Sequence, residues 1–217
     1  MKNRVQSIVA AILVMAAGIA PVHAGDFEGM IKSSVTWKAG AAQKMTTYIK
    51  GAAMRIETAA PGTVMIVSPK YPGKMLMLNA ATKAYFVAPG LPADPKAKVQ
   101  IKKLGNESVL GHPCTHVEVI VTANTGANRS EFWVSQDLGN GALLKEMFKN
   151  MPNGEAMMRA MEQAGWTNGI YLKAIVYMKS GEVLMKQEPV QVVASSVSSA
   201  LFDIPSEYHE MKMPARK

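Results

Sequence analysis

The sequence predicts a mainly β fold of the α+β class, an antiparallel sheet packed against short helices. Two observations carry this. Apolar and polar residues alternate with a period of two over many short runs, and Gly and Pro punctuate those runs too closely for crossover helices. A single stretch, residues 140–165, switches to a period near that of an α-helix.

The first run is Ile31 to Lys38. Ile31, Ser33, Val35 and Trp37 share one face, and Lys32, Ser34, Thr36 and Lys38 share the other. Successive side chains of a strand point to opposite faces, so one face is half-buried and the other wet. Lys44 to Lys50 repeats the pattern, and Met54 and Ile56 alternate with Arg55 and Glu57 after Gly51. Three denser runs follow: Val64 to Val67 between Pro61-Gly62 and Pro69, Met75 to Leu78 after Pro72-Gly73, and Ala84 to Val87 before Pro89-Gly90. Continuous apolar runs imply strands covered on both faces.

Residues 88–98 form a Pro-rich connection that cannot be a central strand. A turn is expected at Gly111-His112-Pro113. Strands are expected at Val99–Leu104, Thr115–Thr122 and Glu131–Val134, with a Gly-bearing turn over Asn124–Asn128. Leu143, Leu144, Met147, Phe148 and Met151 then follow helical spacing. Pro152-Asn153-Gly154 breaks them from Met157, Met158, Met161 and Ala164. The two amphipathic helices are expected to cover the apolar sheet face. A final hairpin runs through Ile170–Met178, with Ile170, Leu172, Ala174, Val176 and Met178 on one face, and Val183–Ala194, with Pro189 marking a bulge or an edge. A loose tail is expected from about His209.

The N-terminus reads as an export signal. Lys2 and Arg4 precede an uncharged apolar run from Ile8 to Ala20, and Val22-His23-Ala24 provides a cleavage site. The expected organisation is a signal peptide, 1–24, and one domain, 25–217, in the periplasm or outside the cell. That domain of 193 residues can bury a core without disulfides. Cys114 is the sole cysteine and reads as a buried small hydrophobe, a free thiol or an intermolecular partner.

The whole chain carries a formal charge of +8, and loss of Lys2 and Arg4 lowers it to +6. Such a charge suits anionic head groups or acidic polymers. The lysines are dispersed, most densely at Lys96, Lys98, Lys102 and Lys103, and aromatics make up only 6% of the chain. Without a stacking platform, nucleic acid is not an expected partner.

No nucleophile elbow, H-E-x-x-H pair or phosphate-binding Gly-rich loop is present. No enzymatic activity and no cofactor is therefore expected. Two constellations remain. His112, Cys114, His116 and Glu118 share one face of a strand whose other face carries Val117, Val119 and Val121; these are ligand types for Zn or Cu, spread along the strand. The methionines, 17 in all, cluster at Met75-x-Met77, Met157-Met158-x-x-Met161 and Met211-x-Met213. They read as soft-metal ligands, as an adaptable apolar surface, or as core filler.

Several patches together resemble a family. They are Gly51–Glu57 (GAAMRIE), Met75–Tyr85 (MLMLNAATKAY), the Gly111-His112-Pro113-Cys114 turn with His116, Val117 and Val119, then Phe132-Trp133-Val134, and Phe202-Asp203-Ile204-Pro205 with Tyr208. With the order of elements, they resemble an exported bacterial family of unknown function (DUF4412-like), related in fold to the lipoprotein-carrier superfamily of LolA, LolB and RseB. The resemblance implies a strongly curved antiparallel half-barrel wrapped around helices, with acyl chains held in the hollow of its better-understood relatives.

The resulting expectation is a periplasmic binding or sensing protein. It would hold a lipid-like or peptide ligand in a slot lined by Met54, Ile56, Met65, Met75, Met77, Phe86, Phe132, Met147, Met157 and Met161. The alternatives are Cu or Zn handling through His112, Cys114 and His116, and an envelope structural protein that docks a protein partner.

Overall fold

The structure is a computed structural model that describes residues 26–59, 62–88, 94, 96–123, 126–149, 151 and 153–211. The expected signal peptide, most of the Pro-rich connection and the tip of the Asn124–Asn128 turn lie outside the described residues.

The strands are β1 (Gly29–Trp37), β2 (Gln43–Lys50), β3 (Ala53–Thr58), β4 (Thr63–Val67), β5 (Met75–Asn79), β6 (Ala84–Val87), β7 (Lys98–Val109), β8 (His112–Ala123), β9 (Gly126–Ser135), β10 (Ile170–Tyr177), β11 (Val183–Ala194) and β12 (His209–Glu210). They form one sheet in the order β12-β6-β5-β4-β3-β2-β1-β11-β10-β9-β8-β7. All its pairs are antiparallel except β12 with β6. The chain thus meanders from β1 to one edge, crosses to the other edge, and meanders back to β1.

That crossing is a physical reason for curvature. β6 and β7 stand ten places apart in the order. In a flat sheet that is about 48 Å. The chain from Val87 to Lys98 reaches about 40 Å at full extension. The sheet is strongly curved and not closed into a barrel. Two helices lie between β9 and β10: α1 (Gly141–Lys149) and α2 (Gly154–Gln163). Asp94, within the crossing, meets the start of α2, its N–H donating to Asn153 Oδ1 (2.9 Å). The face of the curved sheet that carries the two helices is called the hollow face.

The apolar runs are covered on both sides, as their composition requires. Ala53, Val64, Ile66, Leu76 and Leu78 face outward and pack under the C-terminal segment through Val197, Leu201, Phe202, Ile204 and Tyr208. Arg55 and Lys50 clamp that segment by donating to the carbonyls of Leu201 (2.9 Å) and Val197 (2.8 Å). On the hollow face, Ile31, Ile49, Met54 and Val67 join Phe27, Leu138, Leu143 and Ile170 in one core cluster. A second cluster joins Val117, Val119 and Val134 to Leu144, Met161 and Trp166.

Three local expectations are corrected. The turn into β8 is Leu110-Gly111, both at positive φ (52° and 85°), as a tight hairpin turn demands. The strand then starts at His112, and Pro113 lies ahead of the first β9 partner, Cys114 opposite Ser135. Its missing N–H therefore falls where β8 has only β7 beside it. The tail is not loose from His209: His209 and Glu210 pair with Ala84 and Tyr85 as a short edge strand. The even alternation expected along Ile170–Met178 is interrupted by a register shift between Tyr171 and Lys173. Pro189 does sit at a bulge, where the register skips Val190 between Lys32 and Ser33.

Candidate functional site

The hollow face is built from cross-strand rows. Val192, Ile31, Thr47, Ile56, Met65, Met77 and Phe86 are successive partners across β11, β1, β2, β3, β4, β5 and β6. Beside this row runs Ile49, Met54, Val67 and Met75. The second row is largely buried, whereas Ile56, Met65, Met77 and Phe86 are half-buried. An apolar strip rich in methionine thus emerges from under α1 toward the β6 edge.

α1 covers the start of that strip with Leu143, Leu144 and Met147. The space between these side chains and Ile31, Thr47, Ile49, Met54, Ile56, Ile170, Tyr171 and Gln187 is a void of ≈ 30 Å³, room for about two water molecules. A wider cleft of ≈ 540 Å³ lies outside α1, between it and α2, floored by Leu144, Phe148, Met158, Met161 and Trp166 and edged by Asp26, Lys145, Glu162 and Asn168.

Buried Asn140 fixes α1 to the sheet. Its Oδ1 accepts from the Leu143 N–H (2.9 Å) as a helix N-cap, while its Nδ2 donates to the Gly51 carbonyl (2.7 Å) and the Phe27 carbonyl (3.4 Å). The helices meet closely. Gly154 opens α2, and a Cβ there would stand 1.8 Å from the Phe148 carbonyl oxygen.

Of the ten residues expected to line a slot, the structure brings Met54, Ile56, Met65, Met75 and Met147 into one cluster, with Met77 and Phe86 continuing the row. Phe132, Met157 and Met161 belong instead to the second cluster. α1 sits on the seam, Leu143 in one cluster and Leu144 in the other. Ile31, Ile49, Leu143, Leu144 and Ile170 also line the void, outside the expected ten. Their signal was available in the alternation of Ile31 and Ile49 and the helical spacing of Leu143.

The His–Cys face of β8 is opposite to that of Val117 and Val119, with Cys114 and Trp133 part of the first buried cluster, and each imidazole is faced by acid. His112 Nδ1 lies 2.9 Å from Asp137 Oδ2. His116 lies between Glu107 (3.3 Å) and Glu131 (3.1 Å) and stacks on Trp133 with ring centroids 3.9 Å apart. Trp133 Nε1 donates to Glu107 (2.8 Å), the Tyr177 hydroxyl donates to Glu131 (2.9 Å), and Arg129 bridges Glu118 and Glu131. Glu107 and Glu131 come from the neighbouring strands β7 and β9, and Asp137 from the segment after β9, which spacing within β8 cannot reveal. Cys114 is buried, and burial, helped by the Asp137 charge, pushes its thiol up to about 11. No group of three or more acid, His or Cys side chains placed to hold a metal ion occurs among the described residues.

The fold is thus an open, curved antiparallel sheet with a helical pair packed on one face. The chain belongs to the DUF4412 family, a domain of unknown function, whose model matches residues 27–208. No curated protein matches it in sequence. Among solved structures it is similar to an uncharacterized conserved protein from Thermus thermophilus, at 10% identity and a TM-score of 0.50, over 85% of this chain and 90% of that one. It is also similar to the MucA/MucB complex structure from Pseudomonas aeruginosa, at 11% identity and a TM-score of 0.45, over 86% of this chain and 58% of that one. A LolA superfamily protein from Nitrosomonas europaea matches at 10% identity and a TM-score of 0.35, over 83% of this chain and 91% of that one. The Thermus likeness is one of fold.

Proposed function

We propose that this is an exported, non-enzymatic binding protein that holds an acyl chain against the hollow face, between α1 and the methionine row. The observation that carries the reading is that row: Ile56, Met65, Met77 and Phe86 stand half-buried in register across four strands and run on from the residues beneath α1. Unbranched methionine side chains adapt to a flexible apolar guest. The void of ≈ 30 Å³ is too small for such a guest, so the chain enters by displacing Leu143 and Met147. A nine-residue helix such as α1 has little stability of its own and depends on packing. Its Leu143 and Met147 side chains can therefore swing aside while Asn140 holds the helix start, at a cost of mainly the contacts that the guest replaces.

The test is uptake of palmitate by delipidated protein, followed by native mass spectrometry. Wild type is expected to gain one acyl chain, and Met65→Glu with Met77→Glu to lose it while keeping the native circular dichroism. Bare wild-type protein at saturating palmitate, or equal uptake by the variant, contradicts the proposal.

A further inference from the structure

The void beneath α1 is not uniformly apolar. Eight of its lining residues are Ile, Leu or Met, and the other three are Thr47, Tyr171 and Gln187. They arrive from three strands, β2, β10 and β11. Thr47 stands in the hollow-facing row between Ile31 and Ile56, and Gln187 lies opposite the buried Val35 of β1. Thr47 and Gln187 are only 8% and 7% exposed. Among the described residues the hydroxyls of Thr47 and Tyr171 have no hydrogen-bond partner. The Gln187 amide has one long contact, Nε2 donating to Ser33 Oγ at 3.5 Å. Buried polar groups are costly to leave unpaired, and nearly all of them have a partner. Three such side chains in one void with aliphatic walls fit a partner that arrives with the guest.

The chemistry of the lining narrows that partner. None of the described residues around the void is charged. Burial pushes the Tyr171 hydroxyl above its ordinary pKa, as happens where charge is poorly solvated. A carboxylate placed there would lose its hydration without gaining a cation. A hydroxyl group carries no such charge, and it can accept from a protein hydroxyl while donating to the Gln187 Oε1. It is also small, and a void with room for about two water molecules can take it. The length of the row agrees. From Thr47 it runs through Ile56, Met65 and Met77 to Phe86, four strand spacings or about 19 Å away. An extended sixteen-carbon chain is about as long as those four spacings.

We propose that Thr47, Tyr171 and Gln187 bind the neutral hydroxyl end of a long-chain guest, so that a fatty alcohol enters the slot polar end first and lays its tail along the row toward Phe86. A fatty acid lies the other way round, with its carboxylate in water. This rests on the reading of the hollow as a slot for one long chain, and it adds the end group and the direction.

The experiment measures radiolabelled 1-hexadecanol and palmitate, each delivered from cyclodextrin to delipidated protein, as label bound at equilibrium. Wild type is expected to bind both. Thr47→Val combined with Gln187→Leu is expected to weaken hexadecanol about tenfold or more, and to leave palmitate within about twofold. Tyr171→Phe, which removes a single oxygen, should weaken hexadecanol about fivefold with the same indifference to palmitate. Retained palmitate uptake in both variants shows that fold and slot survive. Hexadecanol binding unchanged in both variants overturns the end-group proposal and leaves the slot standing, as does an equal loss of the two ligands. Wild type that takes up palmitate but no hexadecanol has the same meaning. Failure of wild type to take up either ligand overturns the slot as well.

Discussion

Asn140 joins three parts of the chain that sequence keeps far apart. It caps α1 and donates to the carbonyls of Gly51 and Phe27. Asn140→Ala is expected to lose about 1–3 kcal/mol, because a cap disappears and two buried carbonyls lose a donor. Urea denaturation of wild type and variant measures this. Nothing in Gly139-Asn140-Gly141 announces such a role, which reads locally as a turn. Cys114 is the opposite case, since burial was one of its plain readings. With its thiol held near 11, Cys114 should resist a disulfide thiol reagent at pH 8 in the native protein and react in urea. Fast native labelling would contradict this.

Asp137 carries a pH dependence. Burial raises its carboxyl pKa, but hydrogen bonds from Ser135 and His112 outweigh that and leave it below the ordinary aspartate value. A depressed carboxylate stabilises the fold above its unfolded pKa and loses that contribution as pH falls through the folded one. Asp137→Asn should therefore flatten the fall in stability below about pH 4. Thermal melts from pH 2 to 6 read this directly, and parallel curves for the two proteins would contradict it.

At the scale of elements, strands flanked by turn residues were legible because alternation and punctuation are local. Val64–Val67, Met75–Leu78 and Ala84–Val87 needed cover on two sides, and composition said so. Composition did not say that the outer cover is the segment ending in Phe202-Asp203-Ile204-Pro205 and Tyr208, since that depends on contacts more than 100 residues apart. The bulge between Tyr171 and Lys173 was hidden too. It breaks the two-residue period: Tyr171 packs on Phe132, while Lys173 lies over the ring of Trp133, the next residue along β9. The junction of α1 and α2 leaves no room for a methyl group. Gly154→Ala should push the helices apart and cost about 1–3 kcal/mol. A melting temperature unchanged from wild type would show that the junction yields freely.

For the whole molecule, curvature follows from connectivity. The crossing from β6 to β7 is too short for a flat sheet, and Asp94 within it is tied to Asn153 at the start of α2. The same topology leaves β7 at an edge, which gives Lys98, Lys102 and Lys103 a purpose that the sequence left open: charged side chains discourage another strand from pairing there. The candidate slot was legible as an apolar face but not in its extent. The sequence pooled Phe132, Met157 and Met161 with the methionine row, and only the position of α1 separates them.

The most direct measurement is the methyl NMR spectrum of protein labelled at methionine Cε, titrated with palmitate. A guest between α1 and the sheet should shift the signals of Met54, Met65, Met77 and Met147 and leave Met178 and Met211 in place. No shift at saturation, or shifts confined to Met178 and Met211, would contradict the hollow as the binding site.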